Sequence, residues 1–152
     1  MEIVDGNAYL EEVKKLIVEY TERLNRDLSF QNLDKELYDL ESKYSSPNGK
    51  ILVAVEDEKV YGMVAYFKHN DFRCEMKRLY VIPEARGKHL GEILIKRIQE
   101  EAQKEGFQEM VLDTIIPLKT AIHLYEKHGF EECEAYYNNP MDDVIYMKKN
   151  LR

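Results

Sequence analysis

The sequence has few of the features that mark secreted or membrane proteins. It contains two cysteines, Cys74 and Cys133, which are too few and too far apart for a disulfide framework. Charged residues interrupt the first 18 positions, and no apolar run approaches the length that crosses a bilayer. The sequence therefore predicts a cytoplasmic protein with no membrane partner.

Internal repeats, low-complexity segments and flexible linkers are also missing from the 152 residues. The length is typical of one domain, and 44% hydrophobic with 34% charged residues is an ordinary globular balance. A chain of this size can bury a core of its own without disulfides. We therefore expect a single domain over residues 1–152.

The chain has fewer basic than acidic residues, with 22 Lys and Arg against 29 Asp and Glu, and its formal net charge is -7 at pH 7. A phosphate backbone would repel so acidic a chain, so we expect no nucleic-acid partner. The segment 73–97 is an exception, with seven basic and three acidic residues. This local excess of positive charge favours one small anionic ligand over a polyanion.

Hydrophobic periodicity and turn residues divide the chain into strands and helices. The predicted helices cover about 10–24, 33–40, 90–105 and 118–127. The predicted strands cover 1–4, 51–55, 60–67, 73–81, 110–113, 131–137 and 144–149, and imperfect alternation in 73–81 allows a bulge. The order contains one strand–helix–strand crossover. It predicts an α/β (α+β) fold with a mostly antiparallel mixed sheet, one parallel strand pair and flanking helices.

A glycine-containing turn from Arg86 to Gly91 connects a predicted strand to a predicted helix. The first amides of a helix lack intrahelical acceptors, and the helix dipole adds positive potential, so a pyrophosphate fits there. Gly87 and Gly91 permit close approach of the backbone, and Arg86 and Lys88 add charge. An ordinary strand-to-helix turn with surface charges would have the same composition.

Two other glycine motifs are excluded at this turn. A nucleoside-triphosphate P-loop needs Ser or Thr after Gly-Lys, whereas His89 follows Lys88 here. A Rossmann fingerprint needs three spaced glycines near the first strand and an acid after the next one. Neither pattern is present in the sequence.

Two motifs together resemble signatures of the GNAT superfamily of N-acetyltransferases. The run Arg86-Gly87-Lys88-His89-Leu90-Gly91 resembles its coenzyme-A-binding motif, and the run from Ala121 to Phe130 resembles its second signature. They occur in the family's order, and the predicted elements resemble the family fold along nearly the whole chain. Three further stretches are similar to one bacterial subgroup: Leu28 to Gln31, Cys74 to Val81 and Tyr136 to Pro140.

The resemblance implies direct transfer of an acetyl group from acetyl-CoA to a primary amine of a small molecule or peptide, without a metal. It implies that Tyr125 lies near the cofactor sulfur and protonates the departing thiolate. It implies cofactor contacts for Leu79, Tyr80, Val81, Arg86, Gly87, Lys88, His89, Leu90, Gly91, Glu92, Thr114, Ala121, Leu124 and Lys127. Main-chain groups of Leu79 and Val81 would pair with the pantetheine arm as an added strand does.

The resemblance leaves three positions open. His89 stands where the motif usually has glycine. A positive φ at His89 would strain the backbone, whereas helical backbone angles would cost little. Leu118 occupies a place where many relatives have Asn. Glu75, four residues before Leu79, is the candidate base for the amine's proton, and the alternative is a solvent-facing carboxylate paired with Lys77.

The acceptor is also open at this point. The resemblance places these residues near the acceptor pocket: Phe30, Gln31, Arg78, Tyr137 and Asn139. Net acidity favours a cationic amine, whereas Lys77 or Arg78 near the site would suit a carboxylate-bearing amine such as an amino acid. A homodimer is common among similar proteins. A non-catalytic acyl-CoA sensor and a scaffold without cofactor remain alternatives to an enzyme.

Overall fold

The computed structural model describes residues 1–25 and 33–152. The strands in these residues are β1 (Glu2–Asp5), β2 (Gly49–Glu56), β3 (Lys59–Lys68), β4 (Arg73–Val81), β5 (Glu109–Ile115), β6 (Glu131–Cys133) and β7 (Val144–Asn150). The α-helices are α1 (Leu10–Leu24), α2 (Leu33–Tyr38), α3 (Leu40–Lys43), α4 (Leu90–Lys104) and α5 (Lys119–Lys127).

One seven-stranded sheet has the strand order β1-β2-β3-β4-β5-β7-β6. The pair β4–β5 is parallel and is joined through α4, whereas the other five pairs are antiparallel. The predicted mixed α/β fold with one parallel crossover is therefore confirmed. Helix α4 packs on β2, β3 and β4. Its Leu94 lies close to Gly62 of β3, since a Cβ added to Gly62 would be 3.1 Å from Leu94 Cδ1.

Two predicted elements have different bounds in the structure. The helix predicted over 33–40 is divided at Asp39, whose φ of -105° leaves helical geometry, into α2 and α3. The strand predicted over 131–137 is wrong beyond Cys133. The chain leaves β7 there, and the rings of Tyr136 and Tyr137 pack against the ring of Tyr146 instead.

A bulge in β4 and the divergence of β4 from β5 create an opening in the sheet. Arg78 has a φ of 63°, and the β3 ladder steps from Lys77 to Tyr80 without pairing Arg78 or Leu79. The parallel ladder with β5 covers only Arg73–Glu75. Beyond Glu75 the two strands separate, and we call the wedge between 76–81 of β4 and 112–115 of β5 the β4–β5 opening.

A buried cluster of ion pairs fixes α2 and α3 beside this bulge. Glu36 accepts a hydrogen bond from Arg78 Nε at 2.8 Å through one carboxylate oxygen and from Lys43 Nζ at 2.7 Å through the other. The side chains of Glu36 and Arg78 are each 3% exposed. Burial alone raises the pKa of Glu36, but the Arg78 and Lys43 charges outweigh it and lower that pKa to about 2.

We expect Glu36→Gln to lower the free energy of unfolding at pH 7 by about 3 kcal/mol, because it leaves the Arg78 guanidinium buried without its counter-charge. The folded-state pKa of Glu36 lies below its unfolded value of 4.5, so its contribution is present above that pH and is lost as the pH falls towards 2. Urea unfolding at several pH values measures both effects.

The matched control for this prediction is Glu41→Gln, which removes an exposed carboxylate from the neighbouring helix α3. It should change the free energy of unfolding by less than about 0.5 kcal/mol. Equal stabilities of the two variants at pH 7 would contradict the role of the cluster.

Candidate active site

The turn before α4 presents a row of unpaired main-chain amides. Within the described part of the chain, no acceptor contacts the N–H groups of residues 87–92, and α4 has no side-chain cap at His89. Gly87, Lys88 and His89 are exposed. Because these amides lie at the positive end of a helix dipole, this amide row is suited to an anion.

The backbone of the turn is left-handed at two positions. Gly87 has a φ of +83°, and a Cβ placed there would meet nothing within 4 Å, so the approach to the amide row is open. His89 has a φ of 58° and a ψ of 22°, which is the strained one of the two alternatives for this position. A non-glycine residue in this conformation costs about 1 kcal/mol.

Basic side chains surround the amide row. Arg86 Nε donates to the Val81 carbonyl at 3.2 Å, which holds its guanidinium near the ring of Tyr80. Glu92 Oε1 lies 2.8 Å from Lys127 Nζ and 3.4 Å from His128 Nε2. The carboxylate in the first turn of α4 thus forms an ion pair with Lys127. The cofactor roles of Glu92 and Lys127 stay predictions.

The other residues predicted near the cofactor lie around α4 and α5. Leu90 is buried in the core, whereas Val81, Ala121 and Leu124 are half-buried. A Cβ on Gly91 would lie 3.5 Å from Leu124, so α4 and α5 approach each other closely there. The Tyr80 ring packs on Tyr20 of α1 and its hydroxyl donates to Glu19. The Tyr80 side chain is therefore engaged with α1, and the cofactor role of Tyr80 stays a prediction.

The β4–β5 opening is a pocket whose wall combines both strands with α5. It brings together five of the residues predicted from the sequence, which are Arg78, Leu79, Thr114, Tyr125 and Asn139. It also includes Tyr20, and Asp113, which the sequence did not single out. Phe30 and Gln31, predicted near the acceptor, lie outside the described residues.

Tyr125 is held in the wall of the opening by α5. Its ring is 9% exposed and packs edge-on against Phe130 at 6.1 Å between ring centres. Burial raises the pKa of the Tyr125 phenol, so the hydroxyl stays protonated in any working buffer. The geometry provides a neutral hydrogen-bond donor at this wall.

Asp113 faces Tyr125 from β5 and was missed in the sequence. The Tyr137 hydroxyl donates to its Oδ2, and Asn139 Nδ2 lies 3.5 Å from the same oxygen and 2.6 Å from the Tyr137 hydroxyl. Burial raises the pKa of Asp113, although the two hydrogen bonds oppose that effect. The missed signal was a carboxylate at the carboxyl end of the parallel strand that follows the crossover.

Glu75 lies below the opening, in the part of β4 that is still paired with β5. It is 5% exposed, and its Oε1 is 2.8 Å from His69 Nε2. Arg73 Nε donates to His69 Nδ1 at 3.1 Å, so the neutral His69 ring carries its proton on Nε2 and donates to Glu75. The alternative of a solvent-facing carboxylate paired with Lys77 is wrong, and the role of Glu75 as base stays a prediction.

Comparisons with known proteins agree with this architecture. The model of the acetyltransferase (GNAT) family matches residues 14–130. An uncharacterized N-acetyltransferase of Schizosaccharomyces pombe is 43% identical over 144 residues, covering 93% of this chain and 88% of that protein. A crystal structure of an acetyltransferase from Streptococcus agalactiae superposes with a TM-score of 0.81 at 26% identity, covering 98% of this chain and 97% of the other.

A further structure shares the fold at lower identity. It is a GNAT family acetyltransferase from Elizabethkingia anophelis with acetyl-CoA bound, with a TM-score of 0.62, 18% identity and coverage of 76% and 82%. The similar proteins thus come from a eukaryote and from bacteria, so a bacterial source stays a prediction. A cytoplasmic location and a homodimer also stay predictions. In residues 1–25 and 33–152, every helix is too short or too polar to cross a membrane.

Proposed function

Because the chain belongs to the acetyltransferase (GNAT) family, we propose that it transfers the acetyl group of acetyl-CoA to a primary amine held in the β4–β5 opening. The supporting observation is that the protonated hydroxyl of Tyr125 and the carboxylate of Asp113 both line the β4–β5 opening. A hydrogen-bond donor and a proton acceptor are the two groups that acyl transfer to an amine requires.

The residues around the amide row fit coenzyme A. Six amides that have no acceptor among the residues the structure describes, with Arg86 and Lys88 beside them, can neutralise a diphosphate, and the space at Gly87 admits it. Past Glu75, the edge of β4 that faces β5 has no partner strand in the described part of the chain and can bind the pantetheine arm as an added strand. The acetyl-CoA in the E. anophelis structure supports this assignment. Bound there, acetyl-CoA supplies the acyl group as a reactive thioester.

Asp113 takes the proton that the acceptor ammonium must lose before its nitrogen can attack. Burial makes this carboxylate a stronger base than an exposed aspartate, because it raises the pKa. The N–C bond of the amide forms and the C–S bond breaks. The proton on Asp113 passes to solvent, and the second proton that the nitrogen loses on forming the amide ends on the departing thiolate, which leaves as the free thiol of coenzyme A. The Leu79 amide, unpaired in the β3 ladder, polarises the carbonyl as the nitrogen attacks.

Tyr125 stabilises the departing sulfur by donating a hydrogen bond. Its buried phenol is a weaker acid than a thiol, which has a pKa of about 8.5, so complete transfer of the phenol proton is uphill. The hydroxyl therefore favours the developing charge on sulfur while it keeps its proton for most of the step. We therefore assign Tyr125 a hydrogen bond to the sulfur, whereas the sequence resemblance implies full transfer of its proton.

We expect Tyr125→Phe to lower kcat about 100-fold at saturating acetyl-CoA and to leave the KM for acetyl-CoA unchanged, because only the hydroxyl is lost. Steady-state rates of thiol release measure both constants. Tyr38→Phe, which removes a hydroxyl from an 88% exposed ring on α2, should behave like the wild type. An unchanged kcat in the Tyr125 variant would remove this residue from the reaction.

A thiol-release assay over a panel of amines tests the proposed function itself. The panel contains amino acids, polyamines, aminoglycosides and peptide N-termini, and calorimetry with coenzyme A is run beside it. Release of thiol that depends on an amine is the expected result. Tight coenzyme A binding without turnover on any amine would identify a sensor, and no binding would identify a scaffold.

A further inference from the structure

The β4–β5 opening contains a lysine whose charge has no partner among the described residues. Lys77 lies on the wall of the pocket, and it makes no hydrogen bond and no ion pair with any described residue. Its Nζ lies 6.0 Å from the centre of the Phe67 ring. A half-buried ammonium without a counter-ion is an unusual arrangement, because a charge out of water is normally paired.

Each carboxylate around Lys77 accepts hydrogen bonds from other donors, Asp113 through its Oδ2. Glu75 is bonded to His69, and Glu36 is shared between Arg78 and Lys43. Asp113 accepts through Oδ2 from Tyr137 and Asn139. None of these three acids forms an ion pair with Lys77, so its charge is available to a ligand.

The electrostatics around Lys77 favour an anion at this point. Burial lowers the pKa of Lys77, and the positive charges of Arg78 and Lys43 lower it further, while Glu75 and Asp113 act in the opposite direction. A carboxylate beside the ammonium would relieve this unfavourable environment. A polyamine would instead add further positive charge beside Lys77, Arg78 and Lys43.

Opposite charges stand on the two strands of the opening. Lys77 of β4 and Asp113 of β5 are near enough to influence each other's pKa, yet no direct ion pair joins them. The gap between them has a positive wall and a negative wall. A ligand that carries both an ammonium and a carboxylate, a few atoms apart, matches both walls at once.

We propose that the acceptor is a small amino acid, whose carboxylate contacts the Lys77 ammonium while its amine lies against Asp113. This inference rests on the proposed acetyl transfer and names its substrate class. Lys77 contributes binding and orientation of the acceptor, and Arg78 adds positive potential from its covered position beside Glu36. The bond changes are those of the proposed reaction, with the amide formed on the amino nitrogen.

The test compares each amino acid with its own carboxamide, for example alanine with alaninamide, and with putrescine. For the wild-type protein, kcat/KM for the amino acid should exceed that for the carboxamide about 10-fold or more, because the carboxamide lacks the negative charge that faces Lys77. In Lys77→Met, the KM for the amino acid should rise about 10-fold while the KM for the carboxamide stays the same. A merely structural role of Lys77 would change both substrates equally.

Two further variants keep the result interpretable. Lys77→Arg retains the positive charge and should keep most of the preference for the carboxylate, and Lys148→Met removes an exposed lysine from β7 and should keep all of it. Equal or better turnover of carboxamides and putrescine by the wild type would overturn the inference and leave the acetyltransferase assignment intact. So would a Lys77→Met variant with an unchanged preference. No thiol release with any amine would overturn the proposed function and this inference with it.

Discussion

Gly87→Glu should weaken the binding of coenzyme A about 100-fold, equivalent to about 2.7 kcal/mol. The new carboxylate would stand at the amide row, where it repels the diphosphate and competes for the same N–H groups. A Cβ at Gly87 meets nothing within 4 Å, so loss of affinity would not come from a clash inside the protein. Calorimetric titration with coenzyme A measures the change.

The chain offers a matched control at the other end of α4. Gly106 has a φ of +96°, against +83° at Gly87, and a Cβ there would also meet nothing within 4 Å. Gly106→Glu therefore introduces the same charge and a similar backbone strain away from the amide row. It should bind coenzyme A as the wild type does, and equal losses in the two variants would show that the amide row is not the site.

Asp113→Asn should lower kcat/KM for the acceptor about 100-fold to 1,000-fold, because the variant keeps the shape of the side chain and loses the base. The acid limb of the wild-type pH profile should lie above the usual aspartate pKa of about 3.9, since burial raises the pKa of Asp113. Activity falls as the pH drops through that value, because the base becomes protonated. Rates of thiol release between pH 4 and about pH 9 measure the profile.

The variant should also lose this acid limb, and the remaining dependence should follow the acceptor amine alone. Glu109→Gln changes a carboxylate at the other end of β5, 4.0 Å from Arg73, and should keep both the rate and the profile. Persistence of the limb in the Asp113 variant would transfer the role of base to another group, with Glu75 as the next candidate.

Local signals in the sequence were sufficient for the elements on either side of the amide row. The run of β-favouring residues predicts Arg73–Val81 with the bounds that β4 has in the structure, and the apolar spacing predicts α4 to within one residue of its end. Glycines mark the ends of both α4 and α5, where Gly106 and Gly129 have positive φ. These features depend on neighbours a few residues away, so a single sequence contains them.

The β5 side of the opening depends on contacts between distant residues, and local patterns in the sequence could not predict these contacts. Asp113 meets Tyr137 only because β5 pairs with β7 and the chain turns away from the sheet after Cys133. Glu36 and Arg78 are 42 positions apart and meet through the packing of α2 beside the β4 bulge. Periodicity gives no information about such pairs, which is why Asp113 was missed and the strand after Glu131 was predicted too long.

A crystal structure of the chain with acetyl-CoA is the most direct test of the central claim. The account predicts diphosphate oxygens about 3 Å from the amide nitrogens of residues 87–92, with the thioester in the β4–β5 opening beside Tyr125. A diphosphate bound elsewhere, with the amide row contacted only by solvent or by the His89 ring, would contradict it.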